Sequence, residues 1–260
     1  KKGACSHAMF YMLDREFENL HEPEEKASDL LAGGIFREGY QCGMLWGASL
    51  AAGAEAFKIE KNFNKAVYLS VRATQSILAS FLEEAKTINC REITDTDWSA
   101  KSSLLKFMLR GKMFTCLNLM AKWAPQAVEA AQRGLSNIQF NDRLTPVSCA
   151  AETVLKMGAT EEQAIMVAGF AGGLGLSGGG CGALSAAIWM KMLKEAKEGN
   201  GMSDYESPIV KQMIDGFKSH TDNKILCKEI TAKSFQNIDD HGRYIKSGGC
   251  SELIDSLSQA

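Results

Sequence analysis

Apolar residues recur through most of the chain at intervals of three and four, the spacing that gathers side chains on one face of an α-helix. The pattern predicts helices over residues 6–17, 63–86 and 206–219. Strict alternation of apolar and polar residues, which is typical of half-buried strands, is rare. We therefore expect an all-α protein. The predicted inward faces are Ala8, Met9, Met12 and Leu13; Val67, Val71, Ile77, Leu78 and Phe81; and Ile209, Met213, Ile214 and Phe217.

Local signals support this helical interpretation. The chain has only four prolines, and long stretches are rich in Ala, Leu, Met, Lys and Glu, which favour helix. Thr160 followed by Gln163 predicts a capping box, in which each side chain bonds the backbone N–H of the other residue at the start of a helix.

The chain also contains two copies of one pattern. Residues 32–47 read AGGIFREGYQCGMLWG and residues 171–186 read AGGLGLSGGGCGALSA, and later TINCREIT around Cys90 matches KILCKEIT around Cys227. Such self-similarity is the mark of a duplicated structural unit. It predicts two homologous helical units, residues 1–140 and 141–260, related by a pseudo-two-fold axis, with the boundary near residues 136–146.

Cysteine is the unusual feature of the composition, because all eight cysteines belong to the repeat. Successive cysteines are 37, 48 and 26 residues apart in the first copy and 32, 46 and 23 residues apart in the second. The residues around them differ between the copies while all four cysteines stay, which indicates a thiol-based function. The set is Cys5, Cys42, Cys90 and Cys116, then Cys149, Cys181, Cys227 and Cys250.

Several classes of protein are disfavoured by what the sequence lacks. No two cysteines are separated by only two residues, which argues against zinc ribbons, ferredoxin-type runs and thioredoxin-like motifs. The chain is 45% hydrophobic, enough to build a core without a disulfide framework. The net charge of −2 with no charged block predicts no nucleic-acid partner. No apolar run approaches the roughly 18 residues of a membrane span.

The stretch GGGCGALSAAIW, residues 178–189, places Cys181 just ahead of a predicted helix. Unpaired N–H groups and the positive end of the dipole at a helix start stabilise a thiolate. We therefore predict thiolates at Cys181 and at Cys42, its counterpart. Three uses of the thiols stay open at this point: an iron–sulfur cluster or soft metal, a metal-free dithiol–disulfide pair in which Cys42 and Cys181 attack, and a structural zinc site.

Other residues with chemical potential are predicted to be structural. His7 has Ala151 as its counterpart, so the copies do not share a histidine ligand. The other three histidines are predicted to be solvated, and the four tryptophans to be core. The paired glycines before the second cysteine of each copy lack the Lys-Ser/Thr of a phosphate-binding loop, and close packing beside a sulfur-bound group explains them better. The three other histidines are His21, His220 and His241, and the tryptophans are Trp46, Trp98, Trp123 and Trp189. The paired glycines are Gly33 and Gly34 in the first copy and Gly172 and Gly173 in the second.

Together these motifs resemble the redox-active family described by the pattern C_GCAxxG_C_C, over nearly the whole chain and twice. The resemblance rests first on the motif Cys181-Gly182-Ala183 and on a serine beside Cys5 and Cys149. It rests also on Cys-Arg-Glu-Ile at Cys90, on Cys-Lys-Glu-Ile at Cys227, and on the last cysteine of each copy. Two residues depart from the family pattern: Met44 stands in place of Ala, and Ala186 in place of the closing Gly. The departures bear on packing and on the equivalence of the two sites, because every cysteine is intact.

Such proteins are similar to the cluster-bearing domain of split-Soret cytochromes, which implies a helical fold and an iron–sulfur centre. No Cys-x-x-Cys-His is present, so a cytochrome function is not implied. Carried over by position, all eight cysteines are predicted metal ligands, and Gly43 and Gly182 are predicted to lie against the cofactor. The cofactor is expected to be a [2Fe–2S] or [4Fe–4S] cluster, one per half or one shared, with zinc or disulfides as alternatives.

The expected activity is electron transfer or another redox reaction with a partner protein, and whether the chain is itself an enzyme stays open. A homodimer also stays open. We expect a cytoplasmic protein, or a periplasmic one if a signal peptide preceded Lys1.

Overall fold

We describe a computed structural model of the chain over residues 3–98, 102–136, 146–198, 205 and 207–259. In these ranges the structure has helices and two isolated β-bridges but no strand. This confirms the prediction of an all-α protein. The first half contains α1 Cys5–Glu16, α2 Glu22–Ala27 with the 3-10 turn Ser28–Leu31, α3 Gly43–Ile59, α4 Phe63–Ala85, α5 Cys90–Thr94, α6 Ser103–Leu109 and α7 Lys112–Leu135.

The second half repeats this order, with the counterparts of α1, α3, α4 and α7 shorter than in the first half. It contains α8 Cys149–Lys156, α9 Glu161–Ala168, α10 Gly182–Lys197, α11 Pro208–His220, α12 Cys227–Thr231, α13 Ile238–Lys246 and α14 Ser251–Gln259. None of the described helices is both long enough and apolar enough to cross a bilayer.

The predicted helices form close to their predicted positions, as α1, α4 and α11. The capping box is also confirmed, since Thr160 Oγ1 accepts from the Gln163 N–H at 3.2 Å and Gln163 Oε1 accepts from the Thr160 N–H at 3.0 Å. One inward position was wrong: Ile209 is 41% exposed. It lies in the first turn of α11 on the side that faces away from the core, whereas its neighbour Val210 is fully buried.

The two halves use the same backbone frame around their second and third cysteines. The Cys42 N–H donates to the Ile88 carbonyl at 2.7 Å, and the Cys90 N–H donates to the Tyr40 carbonyl at 2.6 Å. In the second half the Cys181 N–H donates to the Ile225 carbonyl at 2.9 Å, and the Cys227 N–H donates to the Gly179 carbonyl at 2.6 Å. These bonds tie the start of α3 to the start of α5, and the start of α10 to that of α12. The cysteine spacing is therefore a consequence of one repeated fold.

A left-handed turn precedes the second cysteine in each half. Residues 33–37 and residues 172–176 all have φ between +50° and +82°. For residues other than glycine this conformation costs about 1–2 kcal/mol each, and Ile35, Phe36 and Arg37 adopt it nevertheless. An added Cβ on Gly34 would lie 2.3 Å from the Tyr40 nitrogen, so this position admits no side chain. The Gly-Gly pair starts the turn because only glycine enters it without strain.

The halves interlock across the predicted pseudo-two-fold axis. Helix α3 packs against α9, and its counterpart α10 packs against α2. Glu24 and Gln163 occupy matching positions, and the Gln163 amide donates to Glu24 Oε1 at 3.3 Å. Gln41 and Gly180 also match, and the Gly180 N–H donates to Gln41 Oε1 at 2.8 Å. Matching residues meet in this way only where a two-fold axis passes between them. The division at residues 140 and 141 lies outside the described residues and stays a prediction.

Two candidate cysteine sites

Helix starts position seven of the eight sulfur atoms. Four cysteines are the first residue of a helix, two are N-caps, and one directly precedes α14. The exception is Cys116, which lies one turn inside α7. All eight are free thiols. The first residues are Cys5, Cys90, Cys149 and Cys227, the N-caps are Cys42 and Cys181, and the last of the seven is Cys250.

In the first site, Cys5 and Cys42 are joined by a hydrogen bond between their sulfur atoms. The Cys42 thiol donates to the Cys5 sulfur, and the backbone N–H groups of Gly33 and Ser6 donate to the same atom, so the pKa of Cys5 is lowered. The same bond, together with burial, raises the pKa of Cys42 well above its usual value. The thiolate that this site stabilises is therefore Cys5.

The other two cysteines of the first half complete the group. Burial first, and then the charge on Cys5, raises the pKa of Cys90 and raises that of Cys116 to about 11. The Trp98 indole N–H lies near the Cys90 sulfur, where it favours the thiolate, but it makes no hydrogen bond of normal geometry. All four thiols of this half thus lie within electrostatic reach of Cys5.

A cavity of about 370 Å³ opens beside these sulfur atoms. Three of the four cysteines line it, together with aromatic and thioether side chains, one guanidinium group and a tyrosine from the second half. Its side-chain wall includes Cys5, Cys90, Cys116, Arg37, Thr94, Trp98, Phe107, Met113, Leu117, Met120 and Tyr205.

The second site brings its four cysteines to one closed space. All four line a cavity of only about 20 Å³, roughly the room that one water molecule needs. Burial raises the pKa of Cys149 and Cys227 and raises that of Cys181 and Cys250 to about 12. The charge that each thiolate would carry adds to this effect for its neighbours. All four are therefore thiols at neutral pH in the metal-free protein.

A histidine and a tyrosine close the second site. His241 is only 1% exposed, and its Nδ1 lies 2.9 Å from the Val147 carbonyl oxygen, so Nδ1 carries the proton. Burial lowers the pKa of His241 to about 4. The prediction that His241 is solvated was wrong, because α13 turns it inward against Phe235. The Tyr244 hydroxyl lies beside Cys250, and burial raises its pKa to about 12.

Backbone N–H groups surround the sulfur atoms in both halves. Gly33 and Gly172 occupy matching positions in the left-handed turns and donate to the first cysteine of their own half. In α10 the Ala183 N–H donates to Cys149, and the Ala183 and Leu184 N–H groups donate to Cys181. The turn therefore places a backbone donor at the first cysteine of each half.

The predicted thiolates at Cys42 and Cys181 are wrong for the metal-free protein. Both are N-caps, as expected, but other effects outweigh the helix-start donors: the hydrogen bond to Cys5 and then burial at Cys42, and burial at Cys181. Gly43, one of the two predicted cofactor neighbours, lies against a ligand candidate: an added Cβ would be 2.7 Å from the Cys5 sulfur. Gly182 lines the second cavity, and an added Cβ there would lie 1.9 Å from the Phe170 carbonyl oxygen in the turn after α9.

Each cavity is lined by cysteines of one half alone. In the part of the chain that the structure describes, no three Cys, His, Asp or Glu side chains converge closely enough to bind one metal ion together. The thiols of a half are thus gathered but not drawn to a single point.

Three residues of the first site were not singled out as functional from the sequence. Tyr205 comes from the second half, donates to the Asp29 carbonyl at 2.9 Å, and carries Arg37 stacked on its ring at 3.9 Å. Trp98 was predicted to be core but lines the cavity, whereas the other three tryptophans are fully buried. The sequence held one signal, since Arg37 falls where the second copy has Leu176.

Both halves of the chain match a known protein family. Residues 4–130 and residues 147–259 each match the family described as "Putative redox-active protein (C_GCAxxG_C_C)". The two matched segments together contain all eight cysteines. A search of curated proteins found no match, and neither did a search of solved structures.

Proposed function

We propose, from the premise that this chain belongs to the redox-active C_GCAxxG_C_C family, that the four cysteines of its first half hold an iron–sulfur cluster that passes electrons to and from a partner protein. The observation that carries the proposal is the gathering of four thiols beside a cavity of about 370 Å³. Cys5, Cys42, Cys90 and Cys116 are the proposed ligands.

The donor set suits this group. Iron–sulfur clusters are usually held by four thiolates, and hydrogen bonds to the sulfur atoms tune their potential. Gly33 and Ser6 already donate backbone N–H groups to Cys5. The lowered pKa of Cys5 makes this cysteine the easiest of the four to deprotonate, as metal binding requires. When bound, such a cluster supplies one-electron chemistry.

The spacing of the thiols favours a cluster over a single zinc ion. A structural zinc draws four ligands to about 2.0–2.3 Å from one point. No three candidate ligands among the described residues converge in this way. In a [4Fe–4S] cluster each thiolate binds a different iron, so the ligands stand farther apart. Zinc therefore remains the weaker alternative.

The second half has the same four ligands but a different enclosure. Its cavity has room for about one water molecule, with Tyr244 and Phe235 in the wall. A cluster enters there only if α14 and the segment that contains Cys250 move outward. We therefore propose that the first half is the principal site, and that the second half loads less readily.

The test is analysis of the full chain purified without oxygen. We expect a brown protein that contains iron and acid-labile sulfide in equal amounts and gives an electron paramagnetic resonance signal in its reduced or oxidised form. Colourless protein with stoichiometric zinc would contradict the proposal, and so would colourless protein free of metal after reconstitution with iron and sulfide.

A second candidate function is supported by the hydrogen bond between Cys5 and Cys42. A thiolate that accepts from a neighbouring thiol is suited to thiol–disulfide exchange. Here the Cys5 thiolate attacks a disulfide of a partner and displaces one partner thiol. Cys42 then attacks the mixed disulfide, forming Cys5–Cys42 and releasing the second partner thiol, so two electrons pass to the partner. The attacking residue is Cys5, and not Cys42 as the sequence suggested.

This candidate is separated from the first by its metal requirement. If it is correct, iron-free protein forms one disulfide between Cys5 and Cys42 on mild oxidation, and the reduced protein reduces a disulfide probe such as 5,5′-dithiobis(2-nitrobenzoate) with two thiols per turnover. A Cys42→Ser variant should stop at a mixed disulfide on Cys5.

A further inference from the structure

The cavity beside the cysteines of the first half is lined by thiols on one side and by other side chains on the opposite side. Its volume of about 370 Å³ lies within the roughly 300–1,000 Å³ range of small-molecule sites. The second half holds the same four cysteines around about 20 Å³. The large cavity is therefore not a general requirement of the repeated fold.

The far wall of this cavity is apolar. Trp98 and Phe107 lie with ring centroids 5.2 Å apart, and Met113, Leu117 and Met120 of α7 continue the surface. In the second half Phe235, Ile230 and Leu253 line the much smaller cavity. Rings and thioethers around an open space suit an apolar body of a few bonded atoms or a single ring.

Two polar groups with unmet hydrogen-bonding capacity line the same cavity. Arg37 stacks on the Tyr205 ring, and among the described residues no carboxylate pairs with its guanidinium group. The Trp98 indole N–H is buried near the Cys90 sulfur, and among those same residues it makes no hydrogen bond of normal geometry. Both groups are donors only, so their complement is an anionic acceptor.

Comparing the two halves shows whether Arg37 serves to bind a ligand or to balance the negative charge of cysteine thiolates. The position of Arg37 is Leu176 in the second half, where it packs in an apolar cluster with Phe235 and Cys227. Among the described residues, no Lys or Arg lines the second cavity, although it contains the matching four thiols. A cation needed only to balance thiolates would be expected in both halves.

We propose that this cavity binds a small organic anion, with a carboxylate or similar group on Arg37 and Trp98 and an apolar body against Phe107, Met113 and Met120. The ligand would lie beside Cys90 and Cys116. This inference concerns the site of the proposed function, but it does not rest on that function, because the binding groups belong to the chain itself.

The test uses a matched pair of probes, benzoate and its neutral isostere benzamide. Binding to the full chain is measured by titration calorimetry, in the iron-free protein and in protein reconstituted with iron and sulfide. We expect one benzoate per chain and affinity for benzamide lower by about tenfold or more, since a hydrogen bond to a charged group is the stronger one.

Three variants locate the site. Arg37→Leu, which installs the residue of the second half, should reduce benzoate affinity to that of benzamide and leave benzamide unchanged. Ala8→Phe, which fills the cavity from α1, should remove binding of both probes. Arg110→Leu is the control, because Arg110 is a neighbouring exposed cation outside the cavity that pairs with Asp95, and it should bind benzoate as the unmodified protein does.

Equal binding of the two probes, no binding of either, or binding that survives both Arg37→Leu and Ala8→Phe would overturn the inference. Loss of benzoate binding when the protein is loaded with iron would also overturn it, because the cavity would then be only the seat of the cluster. Failure to take up iron refutes the proposed function, whereas benzoate binding to the iron-free protein would stand independently.

Discussion

The two halves of this molecule have the same backbone around their cysteines and different surroundings for them. Both use a left-handed Gly-Gly turn, matching hydrogen bonds from the second and third cysteines, and a glycine N–H on the first. The first half adds an open cavity, Arg37 and a lowered pKa at Cys5. The second half seals its thiols under Tyr244 and His241. Duplication thus preserved the frame that holds sulfur, while access to the sulfur diverged.

The largest expected difference between the halves is in the free energy of unfolding when the closing position of the family pattern, Gly47 or its counterpart Ala186, is substituted. An added Cβ on Gly47 would lie 2.1 Å from the Ser6 carbonyl oxygen, a backbone atom that cannot move aside. Gly47→Ala should therefore lower the free energy of unfolding by about 3 kcal/mol or more. Its counterpart Ala186 is fully buried without such a glycine, and Ala186→Gly should cost only about 1 kcal/mol, the helix-propensity difference.

Chemical denaturation of both variants tests this pair. If the two substitutions lower the free energy of unfolding equally, the prediction is wrong, because the close approach of α1 to α3 would then not distinguish the halves.

The buried histidine predicts acid sensitivity in the second half. The pKa of His241 is about 4 in the folded protein, below its ordinary value of 6.5. Between these values the unfolded chain binds more protons, so stability should fall as the pH drops from 6.5 to 4, by about 1.4 kcal/mol per pH unit. Above pH 6.5 and below pH 4, His241 contributes no pH dependence to the free energy of unfolding.

The check is the pH dependence of unfolding for the unmodified protein and for His241→Gln, which keeps a donor for the Val147 carbonyl. The difference between the two curves should be confined to pH 4–6.5. Parallel curves would show that His241 does not titrate in this range on unfolding. Hydrogen exchange at pH 5 should then place the loss of protection in the second half, where His241 is buried.

Thiol reactivity should separate the first cysteines of the two halves. The pKa of Cys5 is lowered by the Cys42 hydrogen bond, whereas burial raises the pKa of Cys149. In reduced, iron-free protein at pH 7.5, iodoacetamide should modify Cys5 about tenfold or more faster than Cys149, because the thiolate is the reactive form.

Peptide mapping by mass spectrometry gives both rates in one sample. Cys42→Ala removes the donor and should slow the reaction of Cys5 while leaving Cys149 unchanged. Equal rates for the two cysteines in the unmodified protein would mean that the difference in their hydrogen bonding has no chemical consequence.

Much of the frame follows from the sequence. Helix periodicity predicts α1, α4 and α11, the duplication predicts the paired halves, and the stretch 178–189 predicts that Cys181 and its counterpart Cys42 lie at helix starts. The pairing of Glu24 with Gln163 across the axis is a consequence of the duplication. These features depend on local preference and repetition, and both are visible in a linear pattern.

The chemistry of the individual thiols does not follow from the sequence. The prediction of thiolates at Cys42 and Cys181 weighed the helix start and missed burial, which depends on how distant segments cover the sulfur. Tyr205 reaches the first site from the other half, so no local motif reveals it. The left-handed run through Ile35, Phe36 and Arg37 is likewise stabilised by the packed fold and against local preference.

The central claim is that the first half is the principal cluster site, and iron and sulfide content in two matched variants tests it most directly. Cys42→Ser and Cys181→Ser change equivalent N-cap residues, one in each half. After reconstitution without oxygen, Cys181→Ser should retain most of the iron and sulfide of the unmodified protein, and Cys42→Ser should lose most of both. Retention by Cys42→Ser with loss by Cys181→Ser, or equal content in the two variants, would contradict the account.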